Sequence, residues 1–142
     1  MELKEISDKK LFPFETHNKI SENYNNVFAR REFSNKLTRY RNVLLSYAEG
    51  DVLECGIGTG ISLKHYNAAK ITSFIGIDWS SQMLEKAFQT KEELIKTDSF
   101  PFSKNKDYET KGKAYFKIMV ADAHDLPFKD DQFDTVVDSL SL

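Results

Sequence analysis

Apolar residues recur at steps of four and three through Phe33, Leu37, Tyr40, Leu44 and Tyr47, a spacing that lines one face of a helix. Gly50 follows where such a helix would stop, and the stripe is expected to pack on a sheet. Upstream, Ile20, Tyr24, Val27 and Phe28 predict a short amphipathic helix over 16–29, preceded by a poorly ordered lead-in, 1–15, in which Pro13 breaks any early helix. Beyond Gly50 the apolar positions run together. Asp51-Val52-Leu53-Glu54-Cys55 predicts a short buried strand, and Gly56, Gly58 and Gly60 then make a loop with glycine at every second position. Ile61 to Asn67 can open a helix, and Ser73 to Ile77 is a second strand ending at Asp78. Met83, Leu84, Ala87, Phe88 and Ile95 suit a helix over 81–96. The polar stretch 97–113, with Pro101 and Gly112, predicts a solvated insertion longer than most loops. Tyr115 to Val120 is a third strand and Asp134 to Leu140 a fourth, with a turn at Pro127 and Asp130-Asp131 between them. Strands alternating with helices predict an α/β fold with a parallel sheet.

Composition narrows the partners. The 142 residues suffice for one domain with its own core, and 40% hydrophobic content without a long apolar run predicts a soluble globular chain with no transmembrane segment. A net charge of −2 gives no electrostatic reason to expect nucleic acid. Cys55 is the single cysteine, which excludes a disulfide framework; at the buried end of a strand it is expected as a packed thiol. His17 and His65 have no ligand-like spacing with each other or with an acid, so no metal site is expected. The first ten residues mix acids and lysines, unlike a secretory signal or an ordinary mitochondrial presequence.

The chemistry concentrates at the ends of the predicted strands. Glycines between strand and helix let a ligand approach the main chain, where N–H groups converge. Asp78 lies 22 residues after Gly56, about where a doubly wound sheet places the acid that holds ribose hydroxyls. A dinucleotide fingerprint would require a small residue at position 61, and Ile61 stands there. The pattern is instead E-x-G-x-G-x-G, which resembles the first motif of the class I S-adenosylmethionine (SAM)-dependent methyltransferases. Gly76-Ile77-Asp78-Trp79-Ser80-Ser81-Gln82-Met83-Leu84 and Ala121-Asp122-Ala123-His124-Asp125-Leu126-Pro127-Phe128, followed by Phe133-Asp134-Thr135-Val136-Val137, match two further motifs in order and spacing.

The resemblance implies SAM as cofactor and a site for each of its parts. Gly56, Gly58 and Gly60 would approach the methionine and ribose portions, and Glu54 would hold the ammonium. Asp78 would accept from the ribose diol, Asp122 from the adenine amino group, and the Ala123 amide would face another edge of the base. Trp79 and Met83 either line the adenine or pack in the core; Tyr24 and Phe28 either pack on the sheet or touch the cofactor. His124 is expected as a polar loop residue. Asp138, near the end of the fourth strand, is the single candidate for a catalytic base, against a solvated or helix-capping role.

The family uses a Rossmann-like doubly wound sheet of seven strands, the first four in the order 3-2-1-4. The sequence stops as the fourth strand ends, so 16–142 is expected to be the amino-terminal portion of such a domain, truncated after strand 4 and open to self-association along that strand. The leader Tyr24-Asn25-Asn26-Val27 and the run around Leu126-Pro127-Phe128 are most similar to UbiE-type and methyltransferase-like proteins. That resemblance implies a small or lipophilic methyl acceptor and a cytoplasmic or mitochondrial location. The alternative is a SAM-binding module or remnant without turnover.

Overall fold

The computed structural model describes residues 37–104 and 116–138. The expected helix over 16–29, with Tyr24 and Phe28, and the lead-in lie outside these residues. In the described chain, helix α1 (Leu37–Ser46) leads into strand β1 (Gly50–Cys55), followed by a short 3-10 turn, Ile61–His65. A second 3-10 turn (Ala68–Lys70), strand β2 (Ile71–Asp78), helix α2 (Ser81–Lys96), the 3-10 turn Pro101–Lys104, strand β3 (Phe116–Val120) and strand β4 (Thr135–Asp138) complete the order. The four strands form one sheet in the order β3-β2-β1-β4, with every pairing parallel. The parallel sheet is the one expected from the strand and helix pattern, and its order is the Rossmann-like one that the family resemblance implied.

Helix α2 begins and ends where the apolar spacing predicts, and local chemistry fixes both ends. The Ser80 hydroxyl accepts from the Met83 amide at 3.2 Å as an N-cap. At the other end the Thr97 amide donates to Glu93 O at 3.0 Å, and Asp98 turns the chain away at φ 54°. Met83, Leu84 and Ala87 are buried, whereas Phe88 and Ile95, expected on the same face, are exposed.

Helix α1 departs further from expectation. It ends at Ser46, and Gly50 is the first residue of β1, not a helix stop. The buried residues beside it are Leu45 and Ala48; Tyr40, Leu44 and Tyr47, taken as the packing stripe, point to solvent. Gly50 is needed for another reason. Its φ is +70°, and a side chain there would overlap the Asp134 carboxylate. Asp134 uses that carboxylate to accept from the Asp51 amide at 2.8 Å and its own amide to donate to Asp51 O at 2.8 Å, which docks β4 beside β1.

The stretch after α2 is not merely a solvated insertion. Phe100 and Phe102 are 4% and 2% exposed and join Tyr66, Phe74 and Phe116 in one aromatic cluster, with ring centroids 5.1–6.0 Å apart. The polar residues around them hide this from a periodicity count. Around the cluster, Leu45, Val52, Leu63, Leu84, Ala87, Ile118 and Val137 fill one face of the sheet.

Candidate functional site

In a parallel sheet, residues in register share a face, and successive residues alternate between faces. Glu54 pairs with Gly76 and Val137, so it lies on the face of β1 that carries Val52 and meets the core. A carboxylate there needs donors. It is 1% exposed, and its Oε2 accepts from Ser62 Oγ at 2.8 Å and from Tyr66 OH at 2.9 Å. Both donors come from the segment that follows the glycines, so the turn Ile61–His65 folds back over the end of β1. Burial and the Glu54 charge raise the Tyr66 phenol, so it remains a protonated donor. A polar cleft opens beside the carboxylate, lined by Arg41, Glu54, Gly56, Ile57, Thr59, Ile61 and Ser62.

The three loop glycines all take positive φ: 68° at Gly56, 58° at Gly58 and 81° at Gly60. Gly58 matters most. A methyl group added there would meet nothing within 4 Å, so the loop presents bare main chain to open space. The Gly58 amide donates to Asp78 Oδ2 at 2.9 Å, while Ser80 N donates to Asp78 Oδ1 at 2.9 Å. Asp78 is 8% exposed at the carboxyl end of β2, and this pair of bonds locks it against the loop. Ile57 N donates to Ile77 O at 3.0 Å, a second tie between loop and strand. Gly76 permits this approach, because a Cβ there would stand 2.5 Å from Ile57 Cδ1. Ala121 N donates to Asp78 O at 3.1 Å, bringing the segment after β3 to the same edge.

In that segment Asp122 and Asp125 form an isolated bridge, and Asp122 Oδ1 accepts from the His124 amide at 2.8 Å, with His124 Nδ1 2.9 Å away. Burial pushes the Asp122 carboxyl up, and the His124 amide and imidazole outweigh it, holding the group below its ordinary value. Ala123 and His124 are exposed, Trp79 is half-buried, and Met83 is 3% exposed. Asp138 pairs with Cys55, so it lies on the opposite face of the sheet from Glu54 and Asp78. Burial first, then the Asp138 and Glu54 charges, raise the Cys55 thiol, consistent with a packed thiol at that strand end.

The structure therefore brings Glu54, the glycine loop and Asp78 together and sets Asp122 and Ala123 on the same rim. Sequence reasoning missed Ser62, Tyr66 and Arg41. Ser62 and Tyr66 are four apart just after the glycines, a spacing that puts two donors on one side of a turn. Arg41 gave no such signal, because Arg39 and Asn42 flank it in a mixed helix. Among the described residues, no group of three or more potential ligands could hold a metal, and no helix is long and apolar enough to cross a membrane.

In fold, solved structures with similar chains include DhpI in its SAH complex, 20% identical with a TM-score of 0.56, covering 88% of this chain and 50% of that one. A chain of the Haloferax volcanii complex containing the Trm112 methyltransferase activator is 21% identical with a TM-score of 0.55, covering 86% and 46%. The YcgJ protein from Bacillus subtilis is 24% identical with a TM-score of 0.47, covering 72% and 36%. The chain thus spans between about a third and a half of the length of these structures. The family described as "Methyltransferase domain" matches residues 53–142. The chain belongs to this methyltransferase domain family. No curated protein matches it.

Proposed function

We propose that the chain binds S-adenosylmethionine across the carboxyl ends of β1, β2 and β3 and serves a methyltransferase acting on a small or lipophilic acceptor, as its UbiE-type resemblance suggests. The observation that carries this reading is the 2.9 Å bond from the Gly58 amide to Asp78, which joins the glycine loop and the strand-end acid into one cradle. The residues present suit the cofactor. Open space over Gly58 admits a ligand against bare main chain, and the buried Glu54 carboxylate faces a polar cleft able to take an ammonium group.

In this reading Gly56, Gly58 and Gly60 give the methionine and ribose portions close backbone approach. Asp78 spends one acceptor site per oxygen on main-chain amides, and the second site on each remains for a ribose hydroxyl. Asp122 and the Ala123 amide take the adenine edge, with Trp79 and Met83 beside it. When bound, the cofactor supplies a sulfonium-activated methyl group, so the protein's part is alignment and exclusion of water. A base is needed only for an acceptor protonated at neutral pH. Asp138, the single candidate base in the sequence, lies on the opposite face of the sheet from Glu54 and Asp78, which favours its solvated or helix-capping role.

Isothermal titration of SAM and S-adenosylhomocysteine (SAH) into the purified chain tests the proposal. The parent binds both, and Asp78→Ala loses about 1.5–3 kcal/mol of affinity, the range for hydrogen bonds to a charged group. Equal affinity of Asp78→Ala and the parent means the ribose is held elsewhere. Absence of binding by the parent refutes the proposal.

A further inference from the structure

The polar cleft beside Glu54 holds a second charged side chain. Arg41 lines it together with Glu54, Thr59 and Ser62, and among the described residues of its wall Arg41 is the one cation. Helical spacing explains why Arg41 reaches it. Arg41 stands one turn before Leu45, which is buried in the core, so the two share the inner face of α1. Tyr40 and Val43, on other faces of the helix, are exposed. Helix α1 lies against the turn Ile61–His65, the same turn that supplies the Ser62 hydroxyl to Glu54. The Arg41 side chain is drawn in from the surface, with Nε and Nη1 closed off from water.

The neighbouring groups feel its charge. Burial and Glu54 raise the Tyr66 phenol, and Arg41 opposes them. Burial first, then Lys64 and Arg41, lower the His65 imidazole from 6.5 to about 4. His65 is therefore uncharged at neutral pH and Lys64 is exposed, which leaves the cationic role in the cleft to Arg41.

We propose that Arg41 takes the carboxylate at the methionine end of the cofactor and so sets a preference for ligands with a complete amino acid head, a role that rests on the SAM reading of the cleft. Such a head carries its ammonium and its carboxylate on one carbon, so their two seats must adjoin. A cleft walled by a buried carboxylate and an inward guanidinium meets both charges at once. A guanidinium has five donors in a planar fork that matches a carboxylate, so it accommodates the ligand beside the contacts it makes within the protein. Arg41 precedes residues 53–142, the stretch that the methyltransferase family matches, so the contact is a feature of α1 in this chain.

Isothermal titration of the 142-residue chain with SAH, and with its decarboxylated analogue, tests this. The analogue keeps the amine, thioether, ribose and adenine and lacks only the carboxylate. The parent binds SAH at least about tenfold more tightly than the analogue, the loss expected for a charge-assisted hydrogen bond. Arg41→Gln lowers SAH affinity at least about tenfold and leaves the analogue's affinity unchanged. Arg41→Lys keeps part of the preference, because it keeps the charge and loses the fork. An arginine with a purely structural role would weaken both ligands alike. Equal binding of SAH and the analogue by the parent overturns the proposal and leaves the SAM reading standing; that comparison needs no variant, so it decides the matter even if Arg41→Gln unfolds. An equal loss for both ligands in a folded Arg41→Gln protein overturns it as well. A parent that binds neither ligand refutes the SAM reading itself, and the role of Arg41 with it.

Discussion

Two glycine-to-alanine substitutions should act through different physics, although both positions lie in the same site. At Gly58 the added methyl meets no atom within 4 Å, so the cost to folding is conformational. An L-residue held at φ 58° costs about 1–2 kcal/mol, and for a domain of this size each kcal/mol lowers the melting temperature by about 3–4 °C. If the open space is the cofactor's seat, that methyl stands where the ligand must approach the main chain, and SAH affinity falls at least about tenfold, more than 1.4 kcal/mol. At Gly76 the balance reverses. The new Cβ would lie 2.5 Å from Ile57 Cδ1 and 3.3 Å from Phe74 Cε1, so a packed core must give way. Overpacking costs about 1–3 kcal/mol, offset in part by the lower backbone entropy loss of alanine. Gly76→Ala should therefore lose stability first, with binding reduced less than in Gly58→Ala. Thermal melts and SAH titration on the same preparations separate the two. A Gly58→Ala protein that binds SAH as tightly as the parent would refute the assignment of the open space to the ligand.

Phe102→Ala should cost about 3–5 kcal/mol in chemical denaturation, because its ring is 2% exposed and touches four other rings; a loss under 1 kcal/mol would show that the aromatic cluster is not a core. His65 gives a signed pH effect. Burial first, then Lys64 and Arg41, lower its imidazole from 6.5 to about 4. The unfolded chain therefore binds more protons between those values, and stability rises with pH through that window and falls as pH drops from 6.5 toward 4. Allowing for solvent screening of a half-exposed ring, the parent should lose roughly 1–2 kcal/mol more than His65→Gln across it. Parallel stability–pH curves for the two proteins would contradict this.

The strands and helix α2 were legible because short apolar runs and a 3.6-residue stripe each report one face of one element, whereas the strand order came from the resemblance to the methyltransferase motifs. Glu54, the loop glycines and Asp78 were legible because their chemistry sits at fixed offsets from strand ends. Other features were not. The stripe of α1 has helical spacing, but spacing alone does not say which side of a helix meets the core; Leu45 and Ala48 do, at 0% and 2% exposure. Phe100 and Phe102 sit among Pro101, Ser99 and Ser103, so their burial is a tertiary fact without a local pattern. The partners of Glu54 were hidden for a similar reason. Ser62 and Tyr66 look like ordinary turn residues until the chain folds back and makes them the donors that a buried carboxylate requires.

The central claim is that the cofactor sits on the cradle joined by Gly58 and Asp78. Titrating SAH into isotopically labelled chain while following backbone amide resonances tests it most directly. The account predicts shifts at Gly56, Gly58, Trp79 and Ala123, with Gly50, Ser73 and Asp134, at the amino ends of the strands, unmoved. Shifts confined to Gly50, Ser73 and Asp134, or none at saturating SAH, would contradict it.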